Sequence, residues 1–503
     1  MELYPAAEHG IAYIHDPAIT KEGDCYYIFG THRRFAKSFD LLHWERLDNN
    51  ITRNYKTLFK DLWQSWPQQE TNPNIDGNMW APDVIWNPSL GKWCMYMSIN
   101  GDNYRSLIAL LTADHLDGDW DLVGPVIYSG FTPENVGKTD VPQVLGNHAD
   151  ITRYQSLTNT RINAIDAGIN FDEHGKLWMN FGSWFGGCWM VQLDPTTGLR
   201  DYTVEYQTIA NVSDPYYGVK LAGGYWNSGE GTYLMHYGDW WYLFISYGWL
   251  GRTGGYQVRE FRSHSITGPY LDEAGNPAIS TSKVANNWTT STGIRLLSSY
   301  QWIGGPQQDG PIEVAQGHNS ALIDSDRSIY MVYHTRFANQ GEDNYQTMIR
   351  QLLPTADGWL TAAPFTYQGV RAGQSHDKLL HAEQLAGDWE VIVHRPSTFF
   401  NDKQGEHTRH QEATADGTTG INMPLLAHVE ANGRFTLDNT QGSKDGNWQL
   451  LQDKSESIQH IQLTDGSDDY EGCLSFLPDD ASNQLRFCLS AIGNNISLWA
   501  TKI

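Results

Sequence analysis

Basic residues are scarce in this sequence: 34 Lys and Arg stand against 58 Asp and Glu, a formal net charge of −24. Such a surface repels phosphate backbones, anionic headgroups and polyanionic substrates, which excludes nucleic acid as a partner and favours a neutral one. Cysteine is scarce as well, five in 503 residues, and Cys25, Cys94, Cys188, Cys473 and Cys488 form no CxxC pair of the metal-binding kind. The first three lie in or beside apolar runs and read as buried thiols. Cys473 and Cys488 sit on neighbouring strand-like segments within reach of pairing, but free thiols are expected there too. Long hydrophobic runs are missing; the longest, around Trp240–Leu250, is too short to cross a bilayer, so no membrane insertion is expected. A signal peptide is missing too. The alternatives are a cytoplasmic protein, or a secreted or periplasmic one whose leader is absent from this chain. Oligomeric state is left open.

Helical periodicity is almost absent. Short aromatic and β-branched runs separated by Gly, Asp, Asn and Pro dominate instead, the pattern of an all-β chain. The length exceeds what one ordinary core supports, so a large domain and a smaller one are expected. Aromatics are abundant, with 20 Trp and 26 Tyr. Their flat faces with a polar handle suit sugars, although the cores of β-propellers and barrels use them as well.

Five segments share one shape: Tyr26-Tyr-Ile-Phe-Gly30, Trp93-Cys-Met-Tyr-Met-Ser98, Leu177-Trp-Met-Asn-Phe-Gly182, Trp240-Trp-Tyr-Leu-Phe244 and Ile329-Tyr-Met-Val-Tyr-His334. A turn rich in Gly, Asp or Lys precedes each. Ten or eleven residues before each run lies a polar residue: Asp16, Asp83, Asp166, Glu230 and His318. These five therefore hold one station in five successive hairpins. The spacing between stations leaves room for a four-stranded sheet in every repeat. Sheets repeated around an axis form a β-propeller, which protects strand edges by closing the ring. The expected fold is a five-bladed β-propeller over residues 1–375, its five polar stations converging on one mouth of the axial channel. A strand-initial Asp often only caps a turn, but five equivalent positions carrying four acids and a histidine go beyond turn chemistry.

Beyond Gln374 the pattern changes to short alternating strands with Asn432-Gly433 and Asp445-Gly446 read as turns. Residues 380–503 are expected to form a small antiparallel β-barrel. It carries no clustered acids at matching positions, and so reads as an accessory domain.

These motifs resemble the arabinanase branch of glycoside hydrolase family 43 across roughly the first 370 residues. The matching stretches are His15-Asp-Pro17, Trp80-Ala-Pro-Asp-Val84, Ala164-Ile-Asp-Ala-Gly168 with Phe181-Gly-Ser183, and Glu230-Gly231. Arg262 to Tyr270, Gly317-His-Asn-Ser320 and Tyr333-His-Thr-Arg336 through Asn339-Gln-Gly-Glu342 complete the series. The C-terminal barrel looks like the second domain of the longer two-domain endo-arabinanases. The resemblance implies a five-bladed propeller that hydrolyses α-1,5-linked L-arabinofuranose chains with inversion. It implies Asp16 as general base, Glu230 as general acid and Asp166 as the residue that tunes the acid. It implies that His318 holds one hydrated calcium ion in the channel, and that Trp80 and Ser183 line the sugar site. The sequence departs from the family's pattern at Thr232, where Pro often follows Glu-Gly, and at Ala315-Gln316, where Gly-Pro often precedes Gly-His.

The chemistry asks for these groups. Inversion needs one carboxylic acid to protonate the leaving oxygen and one carboxylate to activate water on the opposite face, about 6.5–9.5 Å apart. Two blades across a narrow channel supply that separation. Asp83, framed by Pro82, Trp80 and Trp86, reads as structural or substrate-shaping. A lone histidine is usually a satisfied core residue, and calcium prefers oxygen ligands, so any ion at His318 would complete its shell with water. The expected partner is a neutral plant-cell-wall polysaccharide or oligosaccharide, cut endo-wise. An exo-acting α-L-arabinofuranosidase or β-xylosidase on the same scaffold is the alternative within the fold. A non-catalytic carbohydrate-binding propeller is the alternative from another class, and the opposed acids Asp16 and Glu230 count against it.

Overall fold

Strands follow one another almost without interruption in the computed structural model. It describes residues 6–156, 160–252, 254–285, 287–304, 311–338, 340–341, 344–372, 381–395, 402–403, 406–407, 421–439, 442–451, 458–466 and 468–503. Four antiparallel sheets stand apart from one another. The first runs Ala18–Glu22, Cys25–Gly30, Arg34–Ser38 and Glu45–Arg46 in order, and the second Met79–Asn87, Lys92–Asn100, Ser106–Ala113 and Asp121–Tyr128. The third starts Gly168–Phe171, Leu177–Gly182, Cys188–Leu193, and ends with Gly218–Ala222 ahead of Ser213–Asp214. The other separate sheet is Glu313–Ile323, Ile329–Phe337, Tyr345–Pro354 and Leu360–Ala362. Between the last two in sequence, Glu230–Tyr237, Trp240–Tyr247, Gln257–Ser263 and Ile294–Leu297 pair in the same meander.

The leading strands touch in a cycle: Ala18–Glu22 meets Met79–Asn87, which meets Gly168–Phe171, then Glu230–Tyr237, then Glu313–Ile323, which returns to Ala18–Glu22. This is a β-propeller arrangement. The aromatic runs are the second strand of each meander, and nearly every residue in them is buried. Sheets stacked around an axis cover both faces of that strand. It therefore reads as a continuous apolar run and not as an alternation.

Gly387–Val393, Leu425–Val429, Arg434–Asn439, Gly442–Leu450, Gln459–Asp465, Asp468–Pro478, Leu485–Gly493 and Ile496–Lys502 form a closed eight-stranded barrel, the last strand pairing back with the first. Trp389, Trp448, Leu463 and Leu489 fill its interior. The barrel joins the propeller strands by one parallel pairing, Arg295 with Ile496. Around that seam Trp499 packs edge-on against Tyr300 at 5.1 Å, and Asp480 accepts the Thr366 N–H at 2.9 Å.

Several local expectations change. Asn432-Gly433 is a turn, but Asp445-Gly446 lies inside the Gly442–Leu450 strand. There glycine answers a packing need: a Cβ on Gly446 would stand 2.2 Å from the Phe435 ring. Two short helices, Asn50–Leu58 and Lys60–Ser65, interrupt the all-β pattern. Asn49 starts the first by accepting the Ile51 and Thr52 N–H groups while the Thr52 hydroxyl accepts its own N–H, a capping box spread over four residues. All five cysteines are buried, and no disulfide joins any two of them. Asn339, Glu342 and the expected boundary at 375–380 lie outside the described residues, and no described helix is long and apolar enough to cross a membrane.

Candidate active site

The five stations meet at one end of the axis, and the backbone is bent to bring them there. Asp16, Asp166 and His318 have φ of 53°, 59° and 47°, and Ala81, two residues before Asp83, has 35°. Left-handed backbone at a side chain with a Cβ costs of order 1–3 kcal/mol and persists where the surroundings fix it. Here the neighbouring sheet does the fixing. The Ala81 N–H donates to Thr31 Oγ1 at 2.9 Å, Asp166 N–H to Ser98 Oγ at 3.0 Å, and His318 N–H to Ser246 Oγ at 2.7 Å. Gly231 N–H donates to Asp166 Oδ2 at 3.3 Å, and Asp16 N–H faces His334 Nδ1 at 3.4 Å. The accepting hydroxyls and His334 lie at or close to the ends of the aromatic strands. The same contact thus recurs at four stations, and at the Glu230 station the Gly231 bond to Asp166 takes its place. The strands holding Asp83, Glu230 and His318 also bulge there, which turns their side chains towards the axis.

Asp16 is buried among histidines. Its Oδ1 lies 2.7 Å from His15 Nδ1 and 3.0 Å from His318 Nδ1, and Thr31 donates its hydroxyl to Oδ2. Burial alone would raise this carboxyl, but His15 and His318 overcome it and hold Asp16 well below the ordinary carboxylate range. His318 mirrors the effect: burial opposes its charge, yet Asp16 and Asp166 raise it to about 9. His15 and His334 stack at 3.7 Å, and burial pushes both pKa values down.

Glu230 sits differently. Its Oε2 accepts the Trp184 indole N–H at 2.9 Å and the Ser183 hydroxyl at 3.2 Å, and its Oε1 accepts the Tyr256 hydroxyl at 2.8 Å. Burial raises its pKa; His318 and the Tyr256 bond pull the other way, and the Asp16 charge raises it further. Asp166 is raised by burial as well, against His318 and with Glu230. Two carboxyls that favour the proton thus stand beside one that refuses it, the pairing that separates an acid from a base.

The structure brings Asp16, Asp166, Glu230 and His318 together, with Ser183 on the acid. Trp80 is half-buried at the rim, its indole N–H donated to Gly77 O at 2.6 Å and its cross-strand partner Ser98 serving Asp166. Asp83 is taken up structurally: its oxygens accept the Val84 and Ile169 N–H groups at 2.9 and 2.8 Å, tying the second sheet to the third. Thr232 also has a structural use, since Asn180 Nδ2 donates to its carbonyl at 2.7 Å and its hydroxyl at 3.1 Å. Thr31, His15, His334, Trp184 and Tyr256 are site residues that sequence reasoning did not assign. His15, His334 and Trp184 stood in or beside the quoted motifs, whereas Tyr256 lies in a segment with no motif. Its ring packs on Gly317, where a Cβ would be 2.0 Å away. Glycine is needed beside His318 for the same reason: a Cβ on Gly231 would meet that ring at 2.8 Å.

A small cavity under the site is lined by Asp16, Asp83, Asp166, His318, Asn319 and Thr232 among others, all from the leading strands and their approaches. The buried Asn319 amide has no hydrogen-bond partner among the described residues. Three carboxylates and an orphaned amide make an oxygen-rich lining that fits a hard cation. A tighter set of donor atoms, all within 4.8 Å of one another, is that of His15, Asp16 and His334, which omits His318.

If Glu230 must be protonated to act, activity falls as pH rises through its pKa. The Tyr256 hydroxyl stabilises the charged form, so Tyr256→Phe is expected to move the basic limb of kcat/KM to higher pH. An unmoved limb would separate Tyr256 from the proton chemistry.

Residues 142–360 match the family described as glycosyl hydrolases family 43. The sequence is 30% identical to an extracellular endo-α-(1→5)-L-arabinanase of Thermotoga petrophila, over 98% of this chain and 94% of that protein. It is also 30% identical to the extracellular endo-α-(1→5)-L-arabinanase 2 of Bacillus subtilis, over 84% of this chain and 86% of the relative. The crystal structure of the endo-1,5-α-L-arabinanase from Thermotoga petrophila superposes with a TM-score of 0.77 at 28% identity, covering 98% of this chain and 99% of that one. An α-L-arabinanase of Cellvibrio cellulosa in complex with arabinohexaose matches over 70% of this chain and 96% of its own, with TM-score 0.51 and 25% identity.

Proposed function

Given that the chain belongs to family 43 of the glycosyl hydrolases, we propose that it hydrolyses α-1,5 links within linear arabinan by a single inverting displacement. Glu230 is the proton donor and Asp16 the base. The observation that carries this is the contrast between the two carboxyls: Glu230 is raised by burial inside a cage of three donors, and Asp16 is held ionised by His15 and His318. Asp16 orients a water and takes its proton as the water oxygen bonds to the anomeric carbon. The bond to the leaving oxygen breaks, and Glu230 delivers its proton there. Asp166 accepts the Gly231 N–H beside the acid, and the negative charge that adds to burial in raising Glu230 is that of Asp16. Ser183 and Trp80 border the sugar.

The cyclic contacts of the leading strands support a five-bladed ring, with Glu230–Tyr237 opening the fourth blade. On this reading residues 1–375 are the catalytic propeller, and residues 380–503 the accessory barrel that braces its last two blades. A chain of charge −24 suits a neutral plant polysaccharide. The two curated relatives above are named extracellular, and export is proposed for this protein as well. Product sizing from linear arabinan, with the anomer of the first product read by NMR, tests the whole. Mixed oligosaccharides released as the β-anomer are expected. Arabinose alone would favour the exo reading, and first-formed α-anomer would overturn inversion.

A hydrated calcium ion is proposed for the axial cavity, with His318 and Asn319 facing it. When bound it would supply positive charge that offsets the converging carboxylates. Chelation is then expected to lower activity and melting temperature together, calcium to restore both, and His318→Gln to mimic the chelated state. If instead chelation acts and only His334→Gln mimics it, the ion belongs to the His15–Asp16–His334 set. A metal-free wild type with full activity and an unmoved melting point would leave His318 as an imidazolium counter-charge alone.

A further inference from the structure

A ridge of aromatic side chains leads away from Glu230 and is used by nothing described so far. Trp184 holds the acid through its indole N–H. The next residue, Phe185, packs against Tyr104 at 4.8 Å and against Trp226 at 4.9 Å, nearly perpendicular to it. Arg161 covers Tyr104 at 3.7 Å, while Trp226 remains 39% exposed. Tyr104, Phe185 and Trp226 come from three different loops, on the second sheet, the third sheet and the approach to Glu230.

The backbone beneath the ridge is unusual. Trp184 and Phe185 have φ of 30° and 35°, and Tyr225 and Trp226 have 59° and 60°. Left-handed backbone is rare for bulky residues and is kept where surroundings over-determine it. Here the Trp184 N–H donates to Gly229 O at 2.8 Å and the Trp226 N–H to Phe185 O at 2.9 Å, locking the two tips together. Core packing does not call for this, because an exposed ring adds little to a core. Trp86 offers a contrast: it is exposed too, but on a regular strand where it packs on Trp93.

We propose that the Tyr104–Phe185–Trp226 ridge is a binding subsite for arabinofuranose rings remote from the cleaved bond, and that it sets the preference for long chains. This rests on the arabinan reading above. Furanose rings present C–H faces that stack on aromatics and carry no charge to be repelled by an acidic protein. The ridge is continuous with the acid through Trp184, so a chain lying over Glu230 would pass along it.

The experiment compares wild type, Trp226→Ala and Trp226→Phe on linear arabinan, long and short arabino-oligosaccharides and an aryl arabinofuranoside. Binding of linear arabinan is measured in the Glu230→Gln background, and melting temperatures accompany every variant. Trp226→Ala is expected to raise KM for the polymer and long oligosaccharides about tenfold, with kcat little changed and the aryl substrate affected less than about twofold. Trp226→Phe should recover most of the affinity. Equal losses on all substrates, with a lowered melting point, would make the ridge a loop brace. Unchanged KM and binding would remove it from the substrate path. A wild type that cleaves no arabinan would instead overturn the underlying reading, a result the wild-type arm reports separately.

Discussion

Asp16→Asn is expected to lower kcat on linear arabinan by about 10²–10⁴-fold while leaving the fold intact. The amide cannot take a proton from water, and no other ionised carboxylate stands ready: Asp166 and Glu230 are both shifted towards their protonated forms. The loss should appear equally on polymer, oligosaccharide and aryl substrates, because water attack is common to all of them. Structure should survive, since an amide oxygen can still accept from Thr31, and the Asp16 backbone contact with His334 does not use the side chain. His318 loses its strongest counter-charge in this variant, so its proton affinity should fall, which NMR titration of the imidazole can follow. Near-normal turnover of arabinan by Asp16→Asn would remove it as the base.

Glu230→Gln is expected to lose a comparable factor on arabinan, about 10²–10⁴-fold, but with a different substrate profile. The leaving group in arabinan is a sugar hydroxyl that departs poorly without a proton, whereas an acidic phenol departs unaided. Activity on an aryl arabinofuranoside with such a phenol should therefore be largely retained. The basic limb of the pH profile should flatten as well, since the titrating acid is gone. The glutamine can keep the Trp184 and Ser183 bonds through its oxygen, so a loss of folding is not expected. Equal losses on both substrates would argue that Glu230 positions sugar instead of donating a proton. Because the two carboxyls serve one displacement, the double variant should lose far less than the product of the single losses.

Much of this was legible from residues alone, for a physical reason. A blade's second strand is covered on both faces, so it is written as an unbroken apolar run, and five such runs at a fixed distance from a polar residue give away the repeat. The axial stations are equally local: Asp16, Asp83, Asp166, Glu230 and His318 are marked by chain distance to those runs. The helices at Asn50–Leu58 and Lys60–Ser65 were missed because they are short insertions whose one signal is the cap at Asn49 and Thr52. Asp445-Gly446 misled because the same dipeptide serves a turn or a crowded strand, and only the Phe435 ring on the neighbouring strand distinguishes them.

By itself, the sequence determined the all-β class, the repeat, the change of pattern near residue 380 and which acids share a station, because periodicity and spacing are properties of the chain. Tertiary structure alone decided which of these carboxyls favour the proton and which refuses it. Asp16 and Asp166 are alike in sequence, each a strand-approach aspartate with left-handed backbone. Their opposite proton affinities come from burial at Asp166, from His15 next to Asp16 in the chain, and from groups remote in it: His318 beside Asp16, Glu230 beside Asp166, and Tyr256 and Trp184 closing on Glu230. Proton affinity depends on burial and on charges within a few ångströms, and the ring closure that brings those charges together is not written in any one stretch of sequence.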